Sequence, residues 1–160
     1  MIISTKLTQQ DYIRISFFLQ FRKLTVLFVM CAIVIWLVVY LVMNLQSADG
    51  KLFNLIPISI GLSVIPLMTY LSAKRNFKAV SRIGETIEYH VKKDGITLQG
   101  ESFATDYKWI QLYKVTANAS FICIWQTPQV ANFIPRRAVS AEQMTALKRI
   151  LDKNLVRNKL

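Results

Sequence analysis

The sequence predicts an α+β membrane protein, in which a two-helix transmembrane hairpin precedes a small antiparallel sheet or barrel with a C-terminal helix. Three observations carry this prediction. Residues 24–43 and 52–73 are two uncharged, largely apolar runs, each about 30 Å long as a helix and so able to cross a bilayer. After Arg82 the hydrophobic period changes to two, which is typical of strands. Residues 140–155 then place apolar side chains at helical spacing.

These patterns divide the 160 residues into two predicted parts. Residues 1–82 hold an amphipathic lead-in and the hairpin, with spans at about 24–43 and 52–73. Residues 83–160 form a cytoplasmic domain, which is small but long enough to bury a core of its own.

The formal net charge is +11, and basic residues precede the first run and follow the second. The loop between the runs holds only Asp49 and Lys51. The positive-inside rule then predicts a multi-pass protein of the inner (plasma) membrane with both termini in the cytoplasm. We interpret the charges as orienting residues that contact anionic lipid headgroups, and no basic helix or aromatic-rich basic run favours nucleic acid. The flanking residues are Arg22, Lys23, Lys74, Arg75, Lys78 and Arg82.

The second run differs from the first in its small and polar residues. Ser59 and Ser63 share a helix face and allow close backbone approach, either to the first span or to a second copy in a homo-oligomer. Pro66 should kink the helix. A polar path for transport is the competing hypothesis, but neither run contains an ionisable side chain of the kind that transport usually needs. The first run starts too late and is too long for a signal peptide.

Local signals predict the remaining elements. Ile2–Leu7 is a short strand or an extended arm, and Thr8 with Asp11 has the capping-box form at the start of a lead-in helix, residues 9–23. This helix is expected to lie at the interface or to continue into the first span. The cysteines Cys31 and Cys123 are expected to be small buried residues without a disulfide.

Six or seven short antiparallel strands are predicted after residue 82. Ile87, Tyr89 and Val91 alternate with polar residues, and Asp94-Gly95 signals a hairpin turn. Later strands are expected at residues 96–99, 103–109, 112–116, 121–125 and 130–134. Trp109 and Trp125 are expected in the core.

A capping box of Ser140 and Gln143 opens the last helix, and the segment after Leu155 is expected to fray. Strands followed by one amphipathic helix match the layout of a pleckstrin-homology-like small barrel.

Several motifs together resemble one family. They are Leu7-Thr8-x-x-Asp11-Tyr12, the two flanked spans, Gly95-Ile96, Tyr107-Lys108-Trp109 followed by Ile110, and Phe133-Ile134-Pro135-Arg136-Arg137-Ala138-Val139-Ser140. In this order they resemble the YcxB-like family of bacterial membrane proteins, over nearly the whole chain. The resemblance implies a C-terminal domain similar to bacterial pleckstrin-homology-like domains. It implies no catalytic residues.

The sequence gives no sign of catalysis, of a metal site or of a cofactor. The single histidine, His90, lies on the polar face of a predicted strand, and no nucleophile–base set surrounds it. The best candidate for a recognition site is Arg136-Arg137, beside the cap of the last helix, where guanidinium groups and free N–H groups favour an anion or an acidic partner. The competing interpretation is packing over Trp125 or Tyr107 and ordinary surface charge.

The sequence thus favours a membrane-anchored, non-enzymatic interaction module that presents its domain at the inner leaflet, with lipid headgroups and an unnamed protein as partners. An immunity or self-protection protein against a membrane-active toxin or bacteriocin is the alternative. A transporter component is a third hypothesis.

Overall fold

The computed structural model describes residues 1–44 and 56–160. The predicted outer loop with Asp49 and Lys51 therefore lies outside the described residues. Within them the chain forms four α-helices, eight strands and short 3-10 turns. The α-helices and strands are β1 (Ile2–Lys6), α1 (Gln9–Phe21), α2 (Leu24–Asn44), α3 (Ile56–Ala79), β2 (Thr86–Val91), β3 (Gly95–Gln99), β4 (Ala104–Lys108), β5 (Lys114–Ala117), β6 (Phe121–Trp125), β7 (Ala131–Pro135), α4 (Ala141–Lys153) and β8 (Asn158–Lys159).

The described chain separates into two compact units. One contains residues 1–8 and 80–160, and the other contains residues 9–79. The first segment, which the sequence left open as a strand or an arm, is strand β1. It pairs antiparallel with β2, from Ile2 opposite His90 to Lys6 opposite Thr86. The strand domain is therefore discontinuous, and the helical unit is inserted between its first two strands.

The strand domain contains two four-stranded sheets. The first has the order β1-β2-β3-β4 and is antiparallel throughout; the second has the order β7-β6-β5-β8. The α+β class with a C-terminal helix is therefore confirmed. The expectation of a frayed segment after Leu155 is wrong, because Asn158 and Lys159 form β8, which pairs parallel with Val115 and Thr116 of β5.

Both sheets and α4 contribute side chains to one core. Strand β6 is buried at all five positions, which explains why its sequence is apolar without alternation. Trp109 and Trp125 are 4% and 1% exposed, so their predicted place in the core is confirmed. The Tyr89 hydroxyl, inside the same core, donates to the carbonyl of Phe133 at 3.4 Å. Burial there raises the pKa of the Tyr89 phenol above its usual range.

The Asp94-Gly95 turn joins β2 and β3 as predicted, but glycine is needed there for a different reason. Gly95 does not adopt the left-handed backbone conformation of a type I′ turn. Instead, a Cβ atom at this position would collide with the carbonyl oxygen of Tyr107, in the neighbouring strand β4. The motif residue Gly95 thus allows close approach of two backbones.

The start of α4 confirms the predicted capping box. The Ser140 hydroxyl accepts from the Gln143 N–H at 3.1 Å, and the Gln143 side chain accepts from the Ser140 N–H at 3.0 Å. The Gln143 amide also donates to the carbonyl of Ile2 at 3.3 Å. One residue therefore caps the last helix and ties it to the first strand.

In the helical unit, α1 ends at Phe21 and is a separate helix from α2. It packs along α3, where Tyr12 meets Phe77 with ring centroids 6.1 Å apart, and it buries Ile15. An open groove between α1 and α3 is lined by Ser16, Gln20, Val64, Ile65, Met68, Thr69, Ser72, Ala73 and Asn76.

Helix α2 is the one described helix whose length and composition suit a membrane crossing, over Leu24–Met43. None of that stretch is buried in the protein, so Cys31 is exposed, contrary to expectation, whereas Cys123 is buried. Helix α3 continues through Pro66.

Candidate functional site

The predicted anion contact, Arg136-Arg137, lies at the corner between β7 and α4. Both side chains are exposed, and the pair forms a 3-10 turn that ends two residues before the Ser140 cap. The Arg136 N–H donates to the carbonyl of Ser120 at 2.8 Å, which fixes this corner against the turn between β5 and β6. The corner thus holds two guanidinium groups beside a helix start, where partial positive charge already favours anions.

The competing interpretation placed these arginines over Trp125 or Tyr107. The Trp125 ring lies 6.3 Å from the Phe133 ring, between centroids, and the Lys114 ammonium lies 5.9 Å from the Trp125 centroid. Packing of the corner arginines over Trp125 or Tyr107 stays a prediction beside that of an anion contact.

The six membrane-flanking basic residues are divided between the two units. Arg22 and Lys23 connect α1 to α2, and Lys74, Arg75 and Lys78 lie in the last part of α3; all five are exposed. Arg82 belongs to the strand domain instead.

Arg82 has a structural environment that its charge alone did not reveal. Its guanidinium lies 4.5 Å from the centroid of the Phe103 ring, a cation–π distance. Close by, Glu85 accepts a hydrogen bond from the Ser102 N–H at 3.0 Å. Hydrogen bonding from Ser102, with a smaller contribution from Arg82, holds the pKa of the half-buried Glu85 carboxyl below its usual range. Arg82 therefore contacts and stabilises the turn between β3 and β4.

The groups that could carry chemistry are dispersed. His90 lies on β2, and its Nε2 atom is within hydrogen-bonding distance of the Glu88 carboxylate, at 3.1 Å. Within residues 1–44 and 56–160 no three His, Cys, Asp or Glu side chains come together as metal ligands.

A second surface, which the sequence did not reveal, is the outer edge of β5. Segment 156–160 lies along it, and the Val115 N–H donates to the carbonyl of Arg157 at 2.9 Å. Burial alternates along this segment: Val156 is buried, Asn158 and Leu160 are half-buried, and Arg157 and Lys159 are exposed. Five residues are too few for a convincing period-two signal, which is why the sequence pattern alone predicts a frayed end here.

These features define the class of protein. It is an α+β domain of two packed sheets with a C-terminal helix, and a helical unit that contains one long apolar helix is inserted after its first strand. Residues 91–151 of this domain match the model of the family described as YcxB-like protein. The resemblance inferred from the motifs is thereby confirmed for the stretch from β2 to α4, which is under half of the chain and excludes the Leu7–Tyr12 motif. No curated protein and no solved structure matches the chain.

Proposed function

We propose that the chain is a membrane-anchored, non-enzymatic interaction protein that presents its strand domain at the inner leaflet and there binds a protein partner and anionic headgroups. The observation that carries this proposal is the pairing of β1 with β2. Because helices α1, α2 and α3 lie between these two strands in the chain, the pairing requires the helical unit to begin and end beside the same sheet.

The first step concerns α2. Twenty consecutive residues, Leu24–Met43, have a mean hydropathy of 3.0 and no burial within the protein. Leu24, Phe28 and Met43 are 80%, 78% and 76% exposed. Such a surface is costly in water, at about 25 cal/mol per Å² of apolar area, and its length fits the hydrocarbon of a bilayer. We therefore place α2 across the membrane.

The second step concerns the return of the chain. Lys6 and Thr86 are opposite each other in the β1–β2 ladder, so their Cα atoms are about 5 Å apart. The segment between them starts and ends on one side of the membrane and must cross it an even number of times. The uncharged run 52–73 supplies the second crossing, which supports the multi-pass hairpin.

The third step concerns orientation. Arg22, Lys23, Lys74, Arg75 and Lys78 flank the two crossings on the side of the strand domain, and the positive-inside rule assigns that side to the cytoplasm. The connectors 7–8 and 80–85 are short, so they tether the domain near the inner leaflet and raise its effective concentration for membrane partners.

Helix α1 indicates where the second crossing reaches the interface. It carries Arg14 and packs along α3, where Tyr12 meets Phe77, four residues beyond the end of the uncharged run. We therefore place this end of the contact at the cytoplasmic interface. Ser59 and Ser63, which share a helix face, are the proposed contact of the second span with a second copy of the chain.

The order of four strands, three strands and a closing helix supports a pleckstrin-homology-like barrel as the finer fold. Such a domain acts by binding, which agrees with the dispersed titratable groups described above. The exposed Arg136-Arg137 corner is its proposed contact for a phosphate or an acidic partner.

Cysteine labelling in intact cells tests the topology. In a Cys31→Ser, Cys123→Ala background, Ser47→Cys should react with an impermeant maleimide from outside. Asn118→Cys should react only after lysis, as should Asn76→Cys at the interface. Labelling of Asn118→Cys in intact cells would refute the proposed orientation.

Crosslinking in the native membrane tests the interaction. We expect a reproducible protein adduct with the wild-type chain, weakened in an Arg136→Glu, Arg137→Glu variant and retained in a control with the same change of charge on α4, Lys148→Glu, Arg149→Glu, whose side chains are exposed. Recovery of lipid adducts alone, or of no adduct, would refute the protein-partner part. A toxin as the adduct, with raised sensitivity in a deletion strain, would select the immunity alternative.

A further inference from the structure

We propose that the outer edge of β5 is a docking site for an extended strand of a partner protein, and that segment 156–160 is a displaceable strand that covers this site. The inference rests on the proposed function as an interaction protein and names the surface it would use. We infer the side chains that a partner strand must carry from those of segment 156–160, which occupies the edge in this structure.

The first argument is the pairing itself. Strand β8 contributes two residues to its ladder, opposite Val115 and Thr116, and it is parallel. The other described strand pairs are antiparallel and have four or five residue pairs. A short parallel ladder is the weakest attachment of a strand in this domain, so β8 should open before the rest of either sheet does.

The second argument is the hinge. Leu155, which connects α4 to this segment, has φ of 55° and a side chain that is 93% exposed. The left-handed region is disfavoured for a residue with a branched side chain, because Cβ approaches the following carbonyl. Here it ends α4, where the Val156 N–H donates to the Leu151 carbonyl at 2.9 Å and the Leu155 N–H donates to the Asp152 carbonyl at 3.1 Å, a common left-handed helix end. Release of the segment together with this last turn would relieve the conformation.

The third argument is the chemistry of the contacts that segment 156–160 makes beside the edge of β5. Val156 is 7% exposed, and Leu160 packs against the same core. Between them the Asn158 amide donates to the Asp152 carboxylate at 2.8 Å. The edge thus recognises an extended backbone whose side chains match three positions of the segment. These are an aliphatic residue in the place of Val156, a hydrogen-bond donor to Asp152 in the place of Asn158, and a second aliphatic residue in the place of Leu160. Addition of a strand to a sheet edge supplies affinity through backbone hydrogen bonds and specificity through such alternate side chains.

A truncation tests the site with the segment's own chemistry as the probe. The full chain and a chain ending at Asn154 are placed in nanodiscs and titrated with a labelled Leu-Val-Arg-Asn-Lys-Leu peptide. We expect the truncated chain to bind the peptide at least about 10-fold more tightly than the intact chain, whose own segment competes. A peptide with aspartate in place of valine and of the last leucine should bind neither. Equal binding to both chains, or no binding to a folded truncated chain, would overturn the proposal.

Two hinge variants of the intact chain test the same idea if truncation unfolds the domain. Leu155→Gly removes the left-handed penalty and should hold the segment closed, whereas the β-branched Leu155→Val should open it. Hydrogen exchange at 156–160 should slow with glycine and quicken with valine, each by about 5- to 30-fold, with β6 unchanged. Exchange of the segment at the rate of β6 in every variant would show that it opens only with the whole domain and would refute displacement. A crosslinked protein partner recovered despite that result would leave the proposed function standing.

Discussion

Ile2 and Ile3 are neighbours of the same type on opposite faces of β1, and they provide a matched test of the discontinuous domain. Ile3 is 1% exposed and lies opposite the buried Tyr89, whereas Ile2 is 56% exposed. Ile3→Ala removes three buried carbons, worth about 2.4 kcal/mol in transfer free energy at about 0.8 kcal/mol each. The cavity left behind raises the expected loss of unfolding free energy to about 3–4 kcal/mol. Ile2→Ala should change it by about 0.5 kcal/mol or less.

Urea unfolding in nanodiscs measures both values. With Trp36→Phe as the background, fluorescence reports only Trp109 and Trp125, which are both buried in the strand domain. The midpoint should fall strongly for Ile3→Ala and stay near the parent for Ile2→Ala, with unchanged slopes. Equal midpoints for the two variants would refute the assignment of β1 to the core and, with it, the argument that the insertion crosses the membrane an even number of times.

Three further predictions concern individual contacts of the strand domain. Ser140→Ala removes the cap of α4 and should lower the unfolding free energy by about 1 kcal/mol in the same assay, whereas a change below about 0.3 kcal/mol would contradict the capping role. Gly95→Val places side-chain atoms against the carbonyl of Tyr107 and should cost about 2 kcal/mol or more; a stable variant with native fluorescence would show that the strands can separate there. The pKa of Glu85 is lowered by folding, so its stabilisation is present above pH 4.5 and lost as pH falls through the folded value; Glu85→Gln should flatten that acid-side decline, and an unchanged pH profile would contradict the contact with Ser102.

Local patterns predicted those features that depend on neighbouring residues. The alternation around Tyr89 requires only a pleated strand with one buried face, and the Ser140–Gln143 pair requires only one turn of helix. The continuous apolar run of β6 likewise indicated a central strand. Each of these signals is complete within a few residues, so the sequence is sufficient to identify it.

Long-range pairings could not be predicted in the same way. Nothing in Ile2–Lys6 specifies a partner that begins at Thr86, since a five-residue strand can pair with any edge of matching pattern. The order of Ile2 and Ile3 does not say which side chain is buried. Segment 156–160 is shorter than a reliable period, and its parallel pairing with β5 depends on the hinge at Leu155. The candidate docking edge thus arises from tertiary structure, whereas the Arg136-Arg137 corner was visible as a charged motif.

On the proposed two-crossing topology, the discontinuity of the strand domain links membrane insertion to folding. Strand β1 precedes the helical unit and β2 follows it, so β1 has no partner in its own sheet until the insertion is complete. A chain that crossed the membrane once would leave β1 on the opposite side from β2. The edge of β2 would then lack its ladder, and Tyr89 would lose the contact with Ile3 that helps to bury it. If α2 and the run 52–73 both cross the membrane as proposed, correct topology is a condition for completing the core, and we expect a folded domain only on correctly inserted molecules.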